Sequence, residues 1–177
     1  MLTFLYLLHF NLWKEEYLKM EICNKEYEDK LKQYIERNAV SATHHIFKET
    51  CHSVQEAAAA ANASPESFIK SICMIKPDGE LVVAIVKGED RAGTSRVAKA
   101  LGINGVRIAT PEEILIKTGY ICGGVPAFGY KAVFLIDPKV MELDTVFTGG
   151  GSAYSLLEIS TKEIQRLNMG QVIRIRR

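Results

Sequence analysis

Two glycine-rich segments of the sequence combine residue types that could hold a ligand with the main chain. Glycine lets backbone amides approach a ligand closely, and proline fixes the turn around it. The first segment spans residues 119–129, and its candidate binding residues are Gly123, Gly124, Val125, Pro126, Ala127, Phe128 and Gly129. The second follows a predicted strand, and its candidates are Thr148, Gly149, Gly150, Gly151 and Ser152. Successive amides can form an anion-binding nest, although tight connections between strands use glycine more often.

Lys70 is a third feature that could carry chemistry. It stands where a short helix beginning at Pro65 meets the first central strand, and a side chain there can point into a pocket lined by the sheet. The other interpretation is a solvated lysine at a helix end, where the helix dipole favours a positive charge. On the residues alone, the second interpretation is favoured.

Most signatures of nucleotide and hydrolase chemistry are missing. Residues 88–95 have the glycine spacing of a phosphate-binding loop, but Thr94 occupies the position of the lysine that neutralises the phosphates. No G-x-S-x-G motif surrounds Ser152, and no G-x-G-x-x-G dinucleotide motif occurs. All four histidines precede residue 53, which makes a serine–histidine pair hard to place.

A zinc site is the alternative use of one short segment. Four side chains that can bind metal lie within it, namely His44, His45, Cys51 and His52. Their spacing matches no common zinc pattern. The sequence therefore predicts ordinary strand and turn residues here, with no metal and no cofactor.

Length and composition indicate one globular domain. The chain has 177 residues, of which 47% are hydrophobic and 24% are charged, and its net charge is +1. This composition excludes a disordered or collagen-like chain, and the charge excludes a uniformly basic surface. The four cysteines are far apart and form no C-x-x-C pair, which is typical of free thiols in the cytoplasm.

The first residues differ from the rest of the chain. Residues 1–13 are almost wholly apolar, but this stretch is shorter than the roughly 20 residues that span a bilayer. It also lacks the basic region and cleavage site of a secretory signal. Met20 begins an ordinary hydrophilic start, so residues 1–23 are either a misassigned start or an apolar extension. We expect an extension that is dispensable for chemistry, no membrane partner, and a domain over residues 24–177.

The periodicity of apolar residues predicts a mixed α+β fold in a single domain. Helices are expected at about 24–38, 53–61, 94–101 and 160–167, with another beginning at Thr110. Strands are expected at 45–48, 71–76, 81–87, 106–109, 132–136, 146–147, 155–158 and 171–175. The turn Pro77-Asp78-Gly79-Glu80 predicts a hairpin between the second and third of these strands. Helices and strands interleave irregularly, which favours a mixed sheet over a doubly wound one.

An ordered set of segments resembles the YbaK/ProX-like prolyl-tRNA editing family, which are standalone aminoacyl-tRNA deacylases. The resemblance covers roughly residues 27–175. The matching segments are Ser53-Val54-Gln55-Glu56-Ala57-Ala58, Phe68-Ile69-Lys70-Ser71, Lys87-Gly88, Ala109-Thr110-Pro111-Glu112-Glu113, the loop 119–129 and the glycine run after Phe147. The chain departs from the family pattern at Ala127, where relatives commonly have proline, and at Tyr130.

The resemblance implies both a fold and a reaction. The fold would be a curved, barrel-like mixed sheet surrounded by helices. The reaction would be hydrolysis of the ester between a wrong small amino acid, such as cysteine or alanine, and tRNA, with tRNA for proline as the expected tRNA. Lys70 would be the catalytic or positioning residue, the glycine–proline loop would hold the aminoacyl group, and water or the substrate's own thiol would attack. Backbone amides and one lysine can stabilise an oxyanion without a catalytic triad.

The resemblance also implies partners and a rival interpretation. The partners would be aminoacyl-tRNA and prolyl-tRNA synthetase. The rival is a catalytically inactive module of the same fold that binds aminoacyl or nucleotide groups. Because the net charge is near zero, tRNA binding would require a local basic surface. The candidates for it are Arg91, Arg96, Lys99, Arg174, Arg176 and Arg177.

Overall fold

The computed structural model describes residue 22 and residues 24–177. The strands are β1 (Ala42–Ile46), β2 (Ile69–Ile75), β3 (Leu81–Lys87), β4 (Arg107–Ile108), β5 (Val133–Ile136), β6 (Thr145–Gly149), β7 (Ser155–Ser160) and β8 (Gln171–Val172). The helices are α1 (24–37), α2 (Val54–Ala61), α3 (Thr94–Leu101), α4 (Pro111–Thr118), α5 (Pro138–Met141) and α6 (Thr161–Asn168), with a 3₁₀ turn at Pro65–Ser67. Within these residues, no helix is long and apolar enough to cross a membrane. The predicted extension over residues 1–23 lies outside the described residues, apart from Ile22.

Local signals in the sequence set the ends of the elements near the site. The Ser53 hydroxyl accepts a hydrogen bond from the Glu56 amide at 3.1 Å, which caps α2 at its N-terminus. The predicted hairpin is confirmed, because β2 and β3 pair antiparallel along their whole lengths. At its tip Gly79 has φ +85°, a conformation that glycine adopts at little cost.

The mixed α+β class is confirmed, but the barrel-like sheet is wrong. The described strands form two separate sheets, one of five strands in the order β4-β2-β3-β5-β8 and one of three strands in the order β1-β7-β6. Closing a barrel requires the edge strands to pair with each other. Here β4 and β8 are two-residue edges that do not pair with each other, so neither sheet closes.

The first and last strands differ most from their predicted bounds. The first strand spans Ala42–Ile46, earlier than the predicted 45–48, because it pairs in register with β7. The last strand ends at Val172 rather than at residue 175. The buried carboxylate of Asp137 accepts the amides of Ile175 and Arg176 at 3.0 and 3.1 Å, so a side chain replaces the sheet there.

The core lies on both faces of β2 and β3. One face contributes Ile69, Cys73 and Ile75 to a cluster with β6, β7 and the loop 119–129. The other face contributes Met74 to a cluster with α3 and the C-terminal segment. The two sheets meet where Phe68 and Phe147 form an isolated bridge, with their rings stacked at 5.0 Å. This junction places the start of β2 beside β6.

Candidate active site

A cavity of about 230 Å³ lies at this junction of the two sheets. Its walls come from the N-terminus of α2, the start of β2, the loop 119–129 and the end of β6. Of the residues predicted from the sequence, five line it: Lys70, Gly123, Val125, Thr148 and Gly149. The structure therefore brings the lysine and both glycine segments to one place.

The remaining eight predicted residues do not line the cavity. They are Gly124, Pro126, Ala127, Phe128, Gly129, Gly150, Gly151 and Ser152. Ala127 and Phe128 are fully buried in the main core cluster. The Ser152 hydroxyl bonds to Glu28 of α1 and to Ser155, both in the interior. These residues shape the wall without lining the cavity.

Lys70 is the second residue of β2 and is half-buried. Its backbone is held in register opposite Val86 of β3. Within residues 24–177, its ammonium group has no hydrogen-bond or ion-pair partner. A half-buried lysine on a strand, without a counter-charge and beside a cavity, is available to a negatively charged ligand atom.

Two hydroxyls at the cavity have unused hydrogen-bonding capacity. The side-chain oxygens of Ser71 and Thr148 are buried and have no hydrogen-bond partner in the described part of the chain, and both residues line the cavity. An unsatisfied buried polar group costs about 1–3 kcal/mol. Such groups at a cavity are suited to a ligand's polar atoms. Sequence reasoning missed Ser71, and its signal is a hydroxyl residue next to Lys70 near the start of β2, a strand whose other residues are apolar.

The glycine segments touch each other directly. A Cβ atom on Gly124 would lie 2.5 Å from the carbonyl oxygen of Gly151, and one on Gly149 would lie 2.5 Å from that of Val125. The Gly151 amide donates to the Gly124 carbonyl at 2.8 Å. Glycine is therefore needed at these positions for close packing of two backbones.

Hydrogen bonds within the protein engage several of the amides that could have formed an anion nest. The amides of Gly124, Gly150 and Gly151 donate to carbonyl groups, and that of Ser152 donates to the Ser155 hydroxyl. By contrast, the amides of Gly123 and Val125 have no acceptor among the described residues. Since both residues line the cavity, these two amides are main-chain donors that a ligand could use.

The histidines and Cys51 do not converge on a metal site. His44 bonds to the Gly150 carbonyl at 2.8 Å, while His45 bonds to Glu158 at 2.9 Å. His52 lies elsewhere, with its Nδ1 atom 3.1 Å from where a Gly123 Cβ would be. Burial raises the pKa of the Cys51 thiol to about 11. No group of three or more metal-binding side chains occurs among the described residues.

Comparison with known proteins gives the family. The sequence profile of the family described as "Aminoacyl-tRNA editing domain" matches residues 48–167. YwhH of Bacillus subtilis, which has no characterised function, is 24% identical over 128 residues, which are 71% of this chain and 81% of that protein. The multifunctional Ser/Thr-tRNA deacylase ProXp-y of Escherichia coli is 25% identical over 60% of this chain and 66% of its own length.

Larger relatives and solved structures agree with this match. A proline–tRNA ligase of Nitratidesulfovibrio vulgaris is 29% identical over 101 residues, which are 55% of this chain but only 17% of the ligase. The crystal structure of a candidate trans-editing enzyme for prolyl tRNA synthetase superposes with a TM-score of 0.78 at 23% identity, covering 85% of this chain and 97% of that one. The reaction class that the sequence predicts, aminoacyl-tRNA editing by a deacylase, is confirmed. The chain belongs to the aminoacyl-tRNA editing domain family.

Proposed function

We propose that this chain is a trans-editing deacylase that hydrolyses the ester between a small, wrong amino acid and tRNA for proline. The observation that carries the proposal is the convergence of Lys70, the two free amides of Gly123 and Val125, and two unpaired hydroxyls on one small cavity. Similarity to prolyl-tRNA ligases and to a candidate trans-editing enzyme supports the choice of tRNA.

The proposed reaction needs no side-chain nucleophile. Water attacks the carbonyl carbon of the ester, and the carbonyl oxygen becomes negatively charged. The bond to the ribose oxygen then breaks, that oxygen takes a proton derived from water, and the amino acid leaves as its carboxylate. The Lys70 ammonium and the amides of Gly123 and Val125 stabilise the negative oxygen, which is the main requirement of ester hydrolysis.

The size of the cavity supports a small aminoacyl group such as cysteine or alanine. At about 230 Å³ it is smaller than the roughly 300–1,000 Å³ typical of pockets for drug-sized ligands. The hydroxyls of Ser71 and Thr148 are suited to bind the amino group or side chain of the amino acid.

A deacylation panel tests this function. Wild-type protein is mixed with tRNA for proline that carries alanine, cysteine, serine, threonine or proline, and release of the amino acid is followed. We expect the cysteine or alanine ester to be hydrolysed and the correct prolyl ester to be spared. If no ester is hydrolysed above the rate without protein, the proposal is wrong and the rival, an inactive binding module, is favoured.

We extend the proposal to the setting of the reaction. Prolyl-tRNA synthetase releases the mischarged tRNA, so it is the expected partner, and the cytoplasm is the expected compartment. Residues 24–177 are proposed to carry the reaction, with residues 1–23 dispensable. A chain that starts at Met20 should therefore deacylate at the full-length rate, and a loss of activity would assign a function to the omitted residues.

A further inference from the structure

Half of the arginines lie close together and are unpaired. Arg37, Arg107, Arg166 and Arg176 each donate a hydrogen bond to a side chain of the protein. The other four have no side-chain partner within residues 24–177, and we call them the arginine patch: Arg91, Arg96, Arg174 and Arg177. All four are exposed to solvent.

The fold brings the patch together from two distant segments. The amide of Arg177 donates to the carbonyl of Arg91 at 2.9 Å, and the Gly93 amide donates to the carbonyl of Ile175 at 2.9 Å. A Cβ atom on Gly93 would lie 3.3 Å from Cγ of Arg177 and 3.6 Å from Cγ of Arg96. The side chains of Arg96 and Arg177 therefore start from neighbouring points.

Neighbouring acidic residues do not neutralise the patch. Glu89 pairs with Lys87 at 3.4 Å, and Asp90 lies 3.7 Å from Lys139. The first turn of α3, which contains Arg96, has no acidic residue. The patch therefore keeps an uncompensated positive charge even though the whole chain has a net charge of only +1.

The segment that carries Arg91 begins beside the cavity. The Gly88 amide donates to the carbonyl of Phe68 at 2.6 Å, and Gly88 packs against Val54. Phe68 and Val54 both line the cavity. Arg91 is three residues beyond Gly88, so their Cα atoms are at most about 11 Å apart.

We propose that the arginine patch binds the phosphate backbone of the tRNA whose aminoacyl end occupies the cavity. This inference rests on the proposed function, because it takes the tRNA of that function as the occupant. Guanidinium groups are suited to phosphate, since their planar donors bind two phosphate oxygens at once. Four unpaired arginines, of which Arg91 is three residues from the contact of Gly88 with the cavity wall, match a nucleic acid that carries a charge at every nucleotide.

Binding of unacylated tRNA tests the patch without depending on catalysis. Fluorescence anisotropy with a labelled transcript of tRNA for proline compares wild type with R91Q/R96Q/R177Q over a salt series. Each phosphate contact contributes roughly 0.7–0.9 to the slope of log Kd against log salt, so the slope should fall by about two. At about 0.1 M salt we expect Kd to rise roughly tenfold or more.

A matched control removes three positive charges elsewhere. R37Q/K117Q/K162Q changes exposed cations on α1, α4 and α6, and we expect it to change Kd less than about threefold. Melting temperatures of all three proteins verify folding. An equal loss of tRNA affinity in both variants would overturn the proposed role of the patch. So would a slope of log Kd against log salt in R91Q/R96Q/R177Q that equals that of wild type. If R91Q/R96Q/R177Q still bound tRNA but no longer bound anionic vesicles or an acidic protein, the patch would bind another partner, and the proposal would be overturned as well.

The two proposals fail in different ways. Wild-type protein that binds tRNA through the patch but hydrolyses no mischarged tRNA would overturn the proposed function and leave the patch supported. Rapid deacylation with unchanged tRNA affinity in R91Q/R96Q/R177Q would overturn the patch and leave the function supported.

Discussion

At the scale of single residues, the site is defined by polar groups that the protein leaves unused. Lys70, the amides of Gly123 and Val125, and the hydroxyls of Ser71 and Thr148 have no partner within residues 24–177. The buried hydroxyl of Thr118, by contrast, is paired, with hydrogen bonds to Ile114 and Tyr120. Unused capacity at one cavity indicates that a ligand completes it.

Thr148→Val is expected to reduce deacylation without reducing stability. Because the Thr148 hydroxyl is buried and unpaired, removing it relieves a penalty, and the free energy of unfolding should stay constant or rise by about 1 kcal/mol. Thr118→Val is the matched control, since its hydroxyl is bonded and its loss should cost about 1–3 kcal/mol. Urea unfolding and deacylation rates check both. A marked destabilisation by Thr148→Val would show that its hydroxyl has a structural role.

Cysteine reactivity should report on the cavity. Burial raises the pKa of Cys51 to about 11 and that of Cys73 to about 12, so both thiols stay protonated and unreactive at pH 8. Cys122 is exposed and lines the cavity. In a Cys23→Ser background we expect iodoacetamide to label Cys122 alone, as read by mass spectrometry, and to block deacylation. Full activity after labelling would mean that substrate does not pass Cys122.

At the scale of elements, two glycine segments and α1 hold the cavity wall. The backbones of the segments are in contact at Gly124 and Gly151. Helix α1, which precedes the matched family region, reaches both segments. Its Lys30 ammonium bonds to the Gly119 carbonyl at 3.0 Å, and its Glu28 carboxylate accepts a hydrogen bond from the Ser152 hydroxyl.

Gly124→Ala should destabilise the fold. The added Cβ would lie 2.5 Å from a backbone oxygen, so one of the two segments must move, and overpacking of this kind costs about 1–3 kcal/mol. Gly105→Ala is the control, because a Cβ there meets nothing within 4 Å. Melting curves of the two variants make the comparison. Equal stability would contradict the close contact of the segments.

Loss of Glu28 should loosen α1 from the second glycine segment. Glu28 is 8% exposed, and Glu28→Ala removes the charged acceptor of the buried Ser152 hydroxyl and leaves it only Ser155, which should cost about 1–3 kcal/mol. Glu36→Ala, at an exposed position of the same helix, is the control and should change stability by less than about 0.5 kcal/mol. Denaturant unfolding of both variants measures the change in the free energy of unfolding. Similar losses would mean that the Glu28 contact contributes little.

At the scale of the whole molecule, local features were predictable and long-range pairing was not. The hairpin at Asp78-Gly79 and the helix expected at 53–61 follow from residues a few positions apart, and both occur. The parallel pairing of β5 with β3 and β8 joins distant segments, so no local pattern shows that the sheet stays open. The shortened last strand likewise depends on Asp137, which is 38 residues from Ile175.

The site shows the same difference between residue types, which the sequence predicts, and long-range contacts, which it does not. Glycine content and the resemblance singled out Lys70 and both glycine segments, and each of the three contributes residues to the lining of the cavity. Composition could not show which amides lack an acceptor, because pairing depends on contacts between distant segments. The Gly151 amide, for example, donates to the Gly124 carbonyl in the other segment. The sequence showed the arginines as two separate sets of charges, and the backbone hydrogen bonds from Arg177 to Arg91 and from Gly93 to Ile175 join them in the fold.

The most direct test of the central claim is single-turnover deacylation by Lys70→Ala, with tRNA binding measured in parallel. The substrate is the mischarged tRNA for proline that wild type hydrolyses fastest. Because Lys70 has no partner within the described residues, its removal leaves no buried group unsatisfied, and melting should change little. We predict that the rate at saturating protein falls about a hundredfold or more, as for loss of an oxyanion donor, while the Kd for unacylated tRNA stays within about threefold. A folded Lys70→Ala protein that deacylates at the wild-type rate would contradict the account.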